Sequence, residues 1–134
     1  MEIKVFNEVE GFKVPRKKID EVFGKFCEAE KRLVRKRFMV SLVFVGEKKM
    51  EGMNESWKGG EGVTDVLSFN YENDLGEIYI CVAEAERNAA EDGRTMNEEV
   101  YALVVHGMLH LVGYTHDTDD DYEKMMKRAE KVLG

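Results

Sequence analysis

The segment from Thr95 to His116 restricts the fold more than any other part of the chain. Thr95-Met96-Asn97-Glu98 matches a capping box, so a helix is expected to start at Thr95. That helix runs to about Val112, and Gly113 falls at the position where a left-handed residue ends a helix. Its apolar residues, Tyr101, Leu103, Val104, Val105, Met108, Leu109 and Leu111, lie all round it. A helix apolar on every side must be covered on every side. The rest of the chain therefore has to wrap a central, buried helix.

Short strands and amphipathic helices supply the cover. Ile3, Val5 and Phe6 suggest a first strand, and Phe38 to Val45 reads as a second, rich in β-branched and aromatic residues. Val66-Leu67-Ser68-Phe69 reads as a third strand and Glu77 to Val82 as a fourth. Asn73-Asp74-Leu75-Gly76 looks like a turn between them, which makes an antiparallel pair. Pro15 suits the first position of a helix in which Ile19, Val22, Phe23 and Phe26 recur at helical spacing. Glu47 to Trp57 and Ala83 to Asp92 read as further helices, with a glycine-rich loop over 58–62. The last helix starts near Thr118. Asp119, Asp120 and Asp121 in its first turn and Lys127, Arg128 and Lys131 late in it both suit the helix dipole.

At 134 residues, with no linker or repeat, the chain is expected to form one domain over 1–134. No apolar run approaches the roughly 20 residues that span a bilayer, and the first residues lack the basic and apolar regions of a signal peptide. A cytoplasmic protein with no membrane partner is the expectation. Cys27 and Cys81 sit among apolar residues and form no CxxC pair, so they are read as buried reduced thiols. The net charge of −7 excludes a wholly basic nucleic-acid binder. The charge is uneven, however: residues 1–60 carry a net of +4 and residues 61–134 a net of −11. Arg16, Lys17 and Lys18, then Lys31, Arg32, Arg35, Lys36 and Arg37, make up much of the basic half. That asymmetry permits a local anionic partner, although from charge alone a solvated helix face is the preferred reading.

All three histidines lie within eleven residues, His106-Gly107-Met108-Leu109-His110-Leu111-Val112-Gly113-Tyr114-Thr115-His116. His106 and His110, four apart, project from one face of a helix. Gly113 lets the chain fold back, so that His116 can supply a third nitrogen. Three imidazoles with one open position describe a catalytic zinc site rather than a closed structural one. As mere core residues, each would need its own hydrogen-bond partner, at about 1–3 kcal/mol if unpaired. One zinc ion held by His106, His110 and His116 is the better reading. The spacing equals that of metzincin proteases, H-E-x-x-H-x-x-G-x-x-H. The glutamate that serves those proteases as general base is Gly107 here, so the peptidase mechanism loses its base.

The same eleven residues resemble the HGxLHLxGyxH signature of the YbeY endoribonucleases. Thr64-Asp65-Val66-Leu67-Ser68-Phe69 is similar to that family's TDVLSF block, and Gly76-Glu77-Ile78-Tyr79-Ile80-Cys81 to its GDI-type strand. Asn54 to Lys58 resembles the segment before the second block, so the resemblance covers residues 54–116 in the family order. It implies an α+β fold, a four-stranded mixed sheet packed with helices. It also implies a zinc-dependent, single-strand-specific endoribonuclease of ribosomal RNA processing, notably 16S 3′-end maturation, and of ribosome quality control. Single-stranded RNA and the ribosome would be its partners. The family usually has an arginine before TDVLSF that matters for activity. Lys58 stands there in this chain and keeps the charge without the bidentate grip on a phosphate. Lys58 is thus the candidate catalytic side chain. Asp65 reads as a turn-ordering aspartate or a partner of a histidine, and Asp117 as a histidine's acceptor or part of the last helix's cap.

Three functions follow. The first is a zinc-centred cut of single-stranded RNA, which carries its own nucleophile in the 2′-OH and so tolerates the missing glutamate. The second is a zinc hydrolase acting on a peptide or another small substrate. The third is a non-enzymatic ribosome assembly factor with a structural metal.

Overall fold

The computed structural model describes residues 1–60, 62–71 and 74–134, with Lys58 described by its backbone. The elements are β1 (Glu2–Asn7), α1 (Arg16–Ala29), β2 (Met39–Val45), α2 (Glu47–Lys58), β3 (Val66–Tyr71), β4 (Leu75–Cys81), α3 (Val82–Asp92), α4 (Met96–Leu111) and α5 (Asp119–Leu133). The sheet order is β1-β2-β4-β3. β1, β2 and β4 run parallel, and β3 lies antiparallel to β4 at one edge, so the sheet is mixed as expected.

Strand alternation sends side chains to two unlike faces. Ile3, Val40, Leu42, Phe44, Ile78 and Ile80 meet α1, α3, α4 and α5 in the larger core. Val43, Val45, Leu67 and Cys81 face the other way and are capped by Met50 and Met53 of α2. α4 sits at the centre of the first face, packed against β3, β4, α1, α3 and α5. This is the all-round cover that its apolar surface demands. Its start is the expected capping box: the Thr95 side chain accepts from Glu98 N at 3.1 Å, and the Glu98 carboxylate accepts from Thr95 N at 2.9 Å.

Two expectations are corrected. Gly76 belongs to β4 rather than to the turn, and β3 extends to Tyr71. A Cβ on Gly76 would stand 2.6 Å from Leu111 Cδ1, so this glycine is there to let α4 lie close on the strand. The turn itself contains Asp74 at φ 62, a left-handed conformation that aspartate tolerates; Asn73 lies outside the described residues. The second correction concerns Lys31, Arg32, Arg35, Lys36 and Arg37. They occupy a turn segment between α1 and β2 rather than a helix face.

Cys27 and Cys81 are free and buried, as expected. Burial pushes the Cys27 thiol up to about 11 and raises Cys81 as well, so neither is a nucleophile at neutral pH. No described helix is long and apolar enough to cross a membrane.

Candidate metal centre

The end of α4 builds the site. Leu111 is its last helical residue, and Gly113 has φ 107. Gly113 N donates to His110 O at 3.1 Å and Tyr114 N to Leu109 O at 3.0 Å, the paired bonds of a Schellman ending. The reversal carries Tyr114 back over the last turn. Its carbonyl lands 2.9 Å from His110 Nδ1. A carbonyl only accepts, so Nδ1 carries a hydrogen, which leaves Nε2 as the ring nitrogen that can ligate.

His106 Nε2 lies 3.0 Å from His110 Nε2. The ring of His116, beyond the turn, is 5.7 Å from that of His106 and 4.9 Å from that of His110. One nitrogen from each of the three lies within 4.8 Å of the others, so the set could hold a metal ion. Two nitrogens about 2.05 Å from a tetrahedral ion stand roughly 3.3 Å apart, close to the spacing of His106 and His110. The residues present therefore fit the implied metal. His106 and His110 are half-buried and His116 is exposed, which leaves one side of the triad open.

Burial, together with the neighbouring His110 and His116, pulls the His106 ring down from 6.5 to about 4. It is therefore neutral and ready to ligate at physiological pH. An unfolded His106 takes up a proton near pH 6.5, whereas the folded one does so only near pH 4. With metal chelated away, the protein should lose stability as pH falls through that window, and this contribution is complete above it. Urea midpoints in chelator at pH 7, 5.5 and 4 measure the trend. A midpoint that is flat or rises toward pH 4 would contradict the site's polarity.

The triad opens into a cleft of about 730 Å³ whose far wall is edge strand β3. Ser68 and Asn70 of that wall bind α4 directly. Ser68 Oγ donates to Gly107 O at 3.2 Å and Asn70 Nδ2 to Leu111 O at 2.8 Å, which satisfies a carbonyl that the helix end leaves open. Tyr122 of α5, exposed, completes the mouth.

Gly107 does not face the cleft. A Cβ there would meet Ile78 Cγ2 at 2.8 Å, on β4. The position that carries the base in the protease pattern is here the contact between helix and sheet.

Asp65 lines the cleft, and its carboxylate accepts from Asn88 Nδ2 at 3.0 Å, while its carbonyl accepts from Cys81 N at 2.8 Å. It is a structural tie to α3 and β4, and no bond to a histidine is found among the described residues. Thr118 caps α5 by accepting from Asp121 N at 3.1 Å, so Asp117 precedes the cap rather than forming it. Lys58 ends α2, and Gly59 follows with φ 68. The Lys58 side chain lies outside the described residues.

Two buried acids carry no mark in the local sequence. Glu99 of α4 is 3% exposed and pairs with Arg94 at 2.5 Å. Burial raises its carboxyl first, against the lowering effect of Arg94. Glu30 is 4% exposed and receives Arg128 Nε at 2.6 Å and the Tyr114 hydroxyl at 3.2 Å. The second network ties the residue that orients His110 into the core.

An α+β protein with a mixed four-stranded sheet and an open three-histidine site at the end of its central helix is thereby defined. The family model for endoribonuclease YbeY matches residues 4–134. Endoribonuclease YbeY of Pelotomaculum thermopropionicum is 38% identical over 106 residues, 71% of this chain and 70% of that protein. That of Pseudomonas fluorescens is 35% identical over 123 residues, 86% and 81% of the two chains. The solution structure of TM1509 from Thermotoga maritima superposes with a TM-score of 0.66 at 32% identity, covering 98% of this chain and 89% of that one. The chain belongs to the endoribonuclease YbeY family.

Proposed function

We propose that this chain is a zinc-dependent, single-strand-specific endoribonuclease of ribosomal RNA processing, acting on 16S 3′ ends and in ribosome quality control in the cytoplasm, with residues 1–134 as one catalytic unit. The observation that carries the reading is the convergence of three imidazoles on one point at the open edge of a cleft, with two of them held ready to ligate. Family membership supplies the substrate class, RNA.

His106, His110 and His116 hold one zinc ion. Bound there, the ion supplies Lewis-acid chemistry at a phosphoryl oxygen or activates water. The chain does the rest. Tyr114 fixes the His110 tautomer through its carbonyl, and burial keeps His106 unprotonated. Lys58 neutralises a phosphate as a point charge in place of the family's arginine. Tyr122 offers an exposed aromatic face on which an unpaired base can stack. A base-paired strand cannot present its bases this way, which is the source of the single-strand preference. Gly107, turned to Ile78, leaves no carboxylate base beside the first ligand, so RNA is favoured over peptide bonds.

The test is cleavage of an unstructured RNA and of its duplex by purified protein, with chelation and zinc add-back. The single strand should be cut, the duplex spared, and the activity lost and restored with the metal. Product ends separate the routes: a 2′,3′-cyclic phosphate marks attack by the 2′-OH, and a 5′-phosphate with a 3′-OH marks attack by water. Full activity in chelator would refute the zinc-centred mechanism.

A further inference from the structure

The histidine cleft ends at Tyr114, and a second groove begins there, since Tyr114 lines both. The second groove, about 440 Å³, is walled by Lys31, Arg32, Arg128 and Lys131. The carboxylate in its described lining is Glu30, buried and already occupied by Arg128 and the Tyr114 hydroxyl. Arg128 is fixed a second time by donating to Ala29 O at 2.8 Å. Lys31 has an exposed 3.5 Å contact with Glu28, and Arg32 and Lys131 pair with no carboxylate among the described residues. Arg35, Lys36 and Arg37 follow in the same segment and line a separate hollow with Asp74, whose carboxylate is 3.9 Å from Arg35.

α5 joins the two grooves. Tyr122 lines the metal cleft, while Arg128 and Lys131 line the basic groove. At 1.5 Å per residue they lie about 9 and 14 Å further along the helix axis. At the N-terminal end of α5, next to His116 in sequence, lie Asp117, Asp119, Asp120 and Asp121. On a chain of net charge −7, a polyanion crossing the metal centre meets repulsion in that direction and attraction toward Tyr114.

We infer that the groove of Lys31, Arg32, Arg128 and Lys131 holds backbone phosphates of the single-stranded RNA that flanks the scissile bond, the strand leaving the metal centre over Tyr114. This rests on the RNA-cleaving reading above. The groove meets phosphate, so it adds affinity and direction without reading sequence. The planar guanidinium of Arg32 suits a bidentate grip on a phosphate, and Lys31 and Lys131 act as point charges.

The test compares zinc-loaded wild type with Arg32→Glu/Lys131→Glu. Both residues are exposed, so folding is not at stake. Binding to a 20-nucleotide unstructured RNA should weaken about 10- to 100-fold at low salt. The slope of log affinity against log salt should fall by about 0.7 for each phosphate that is no longer neutralised, roughly 1.4 in all. In cleavage assays KM should rise much more than kcat falls, and a trinucleotide too short to reach the groove should be affected far less. Lys17→Glu/Lys18→Glu makes the same charge change about 18 Å along α1 from Ala29 and should leave the salt slope unchanged. An unaltered slope and affinity in Arg32→Glu/Lys131→Glu would overturn the inference while the cleavage reading stands. An unaltered RNA slope with lost binding to a polyglutamate peptide would assign the groove to an acidic protein and overturn it as well. A wild-type chain that neither binds nor cuts RNA would remove the RNA reading and the groove with it.

Discussion

His110→Ala should empty the metal site and slow cleavage of single-stranded RNA by about 10³-fold or more, with the fold intact. The size follows from what the ion supplies. Lewis-acid stabilisation of developing charge is worth several kcal/mol, and each 1.36 kcal/mol is a factor of ten in rate. His110 is the middle candidate ligand, with its ring centre 4.5 Å from His106 and 4.9 Å from His116. Removing it leaves two nitrogens that no longer surround a point. The fold survives because the ring is only half-buried and its Nδ1 is tied to a loop carbonyl, that of Tyr114, rather than into the core. Losing that bond costs about 1 kcal/mol. Elemental analysis reads the metal, far-UV circular dichroism the fold, and initial rates the chemistry. Undiminished metal content and rate would refute the assignment of the site. The same logic separates a catalytic metal from a structural one. All three candidate ligands come from one eleven-residue stretch, and both hydrophobic cores close without them. Chelation should therefore abolish the rate and lower the stability only by the linkage effect, about 2.7 kcal/mol at one hundred times Kd. Global unfolding on chelation would favour the structural reading.

What is legible in the sequence is what depends on near neighbours. The capping box at Thr95, the Schellman ending at Gly113 and the i, i+4 pair His106 and His110 are each set within a few residues. Pattern alone therefore locates the candidate ligands. Gly76 escapes such a reading because its role is set by Leu111, which reaches it from a helix far along the chain; seen locally, a glycine after Asn-Asp-Leu is a turn. The basic run from Lys31 to Arg37 reads as a helix face because nothing local marks the end of α1 at Ala29 strongly. Its surroundings are set from afar too: Arg128 and Glu30, which wall the same groove, are 98 residues apart. Glu99 looks like an ordinary acid near a helix start. Only the packing of α3 on α4 buries it against Arg94.

Gly107→Ala should destabilise the protein by about 1–3 kcal/mol, although alanine is the better helix former. By propensity alone the change gains about 1 kcal/mol in a helix interior. Packing decides against it. The new methyl would stand 2.8 Å from Ile78 Cγ2, 3.0 Å from its Cδ1 and 3.2 Å from its Cγ1. Ile78 is fully buried and paired on both sides, with Leu42 of β2 and Ser68 of β3, so it has little room to move. Overpacking of this kind costs about 1–3 kcal/mol, occasionally more, and lifting α4 would also stretch the Ser68 bond to the Gly107 carbonyl. A fall in Tm of several degrees is expected by calorimetry. In an Ile78→Ala background the same substitution should cost nothing or stabilise, a coupling of at least about 1 kcal/mol in a double-mutant cycle. A rise in Tm for Gly107→Ala in the wild-type background would show that the contact is not limiting. Gly107→Glu should be worse still, because it drives a carboxylate into apolar surroundings without a partner. That outcome bears on the chemistry: the protease base cannot be restored at this position, since the side chain would enter the interface between helix and sheet rather than the cleft. The same close approach that excludes the glutamate seats α4 on β4 and holds His106 and His110 over the edge strand, so the missing side chain is what puts these two candidate ligands in place.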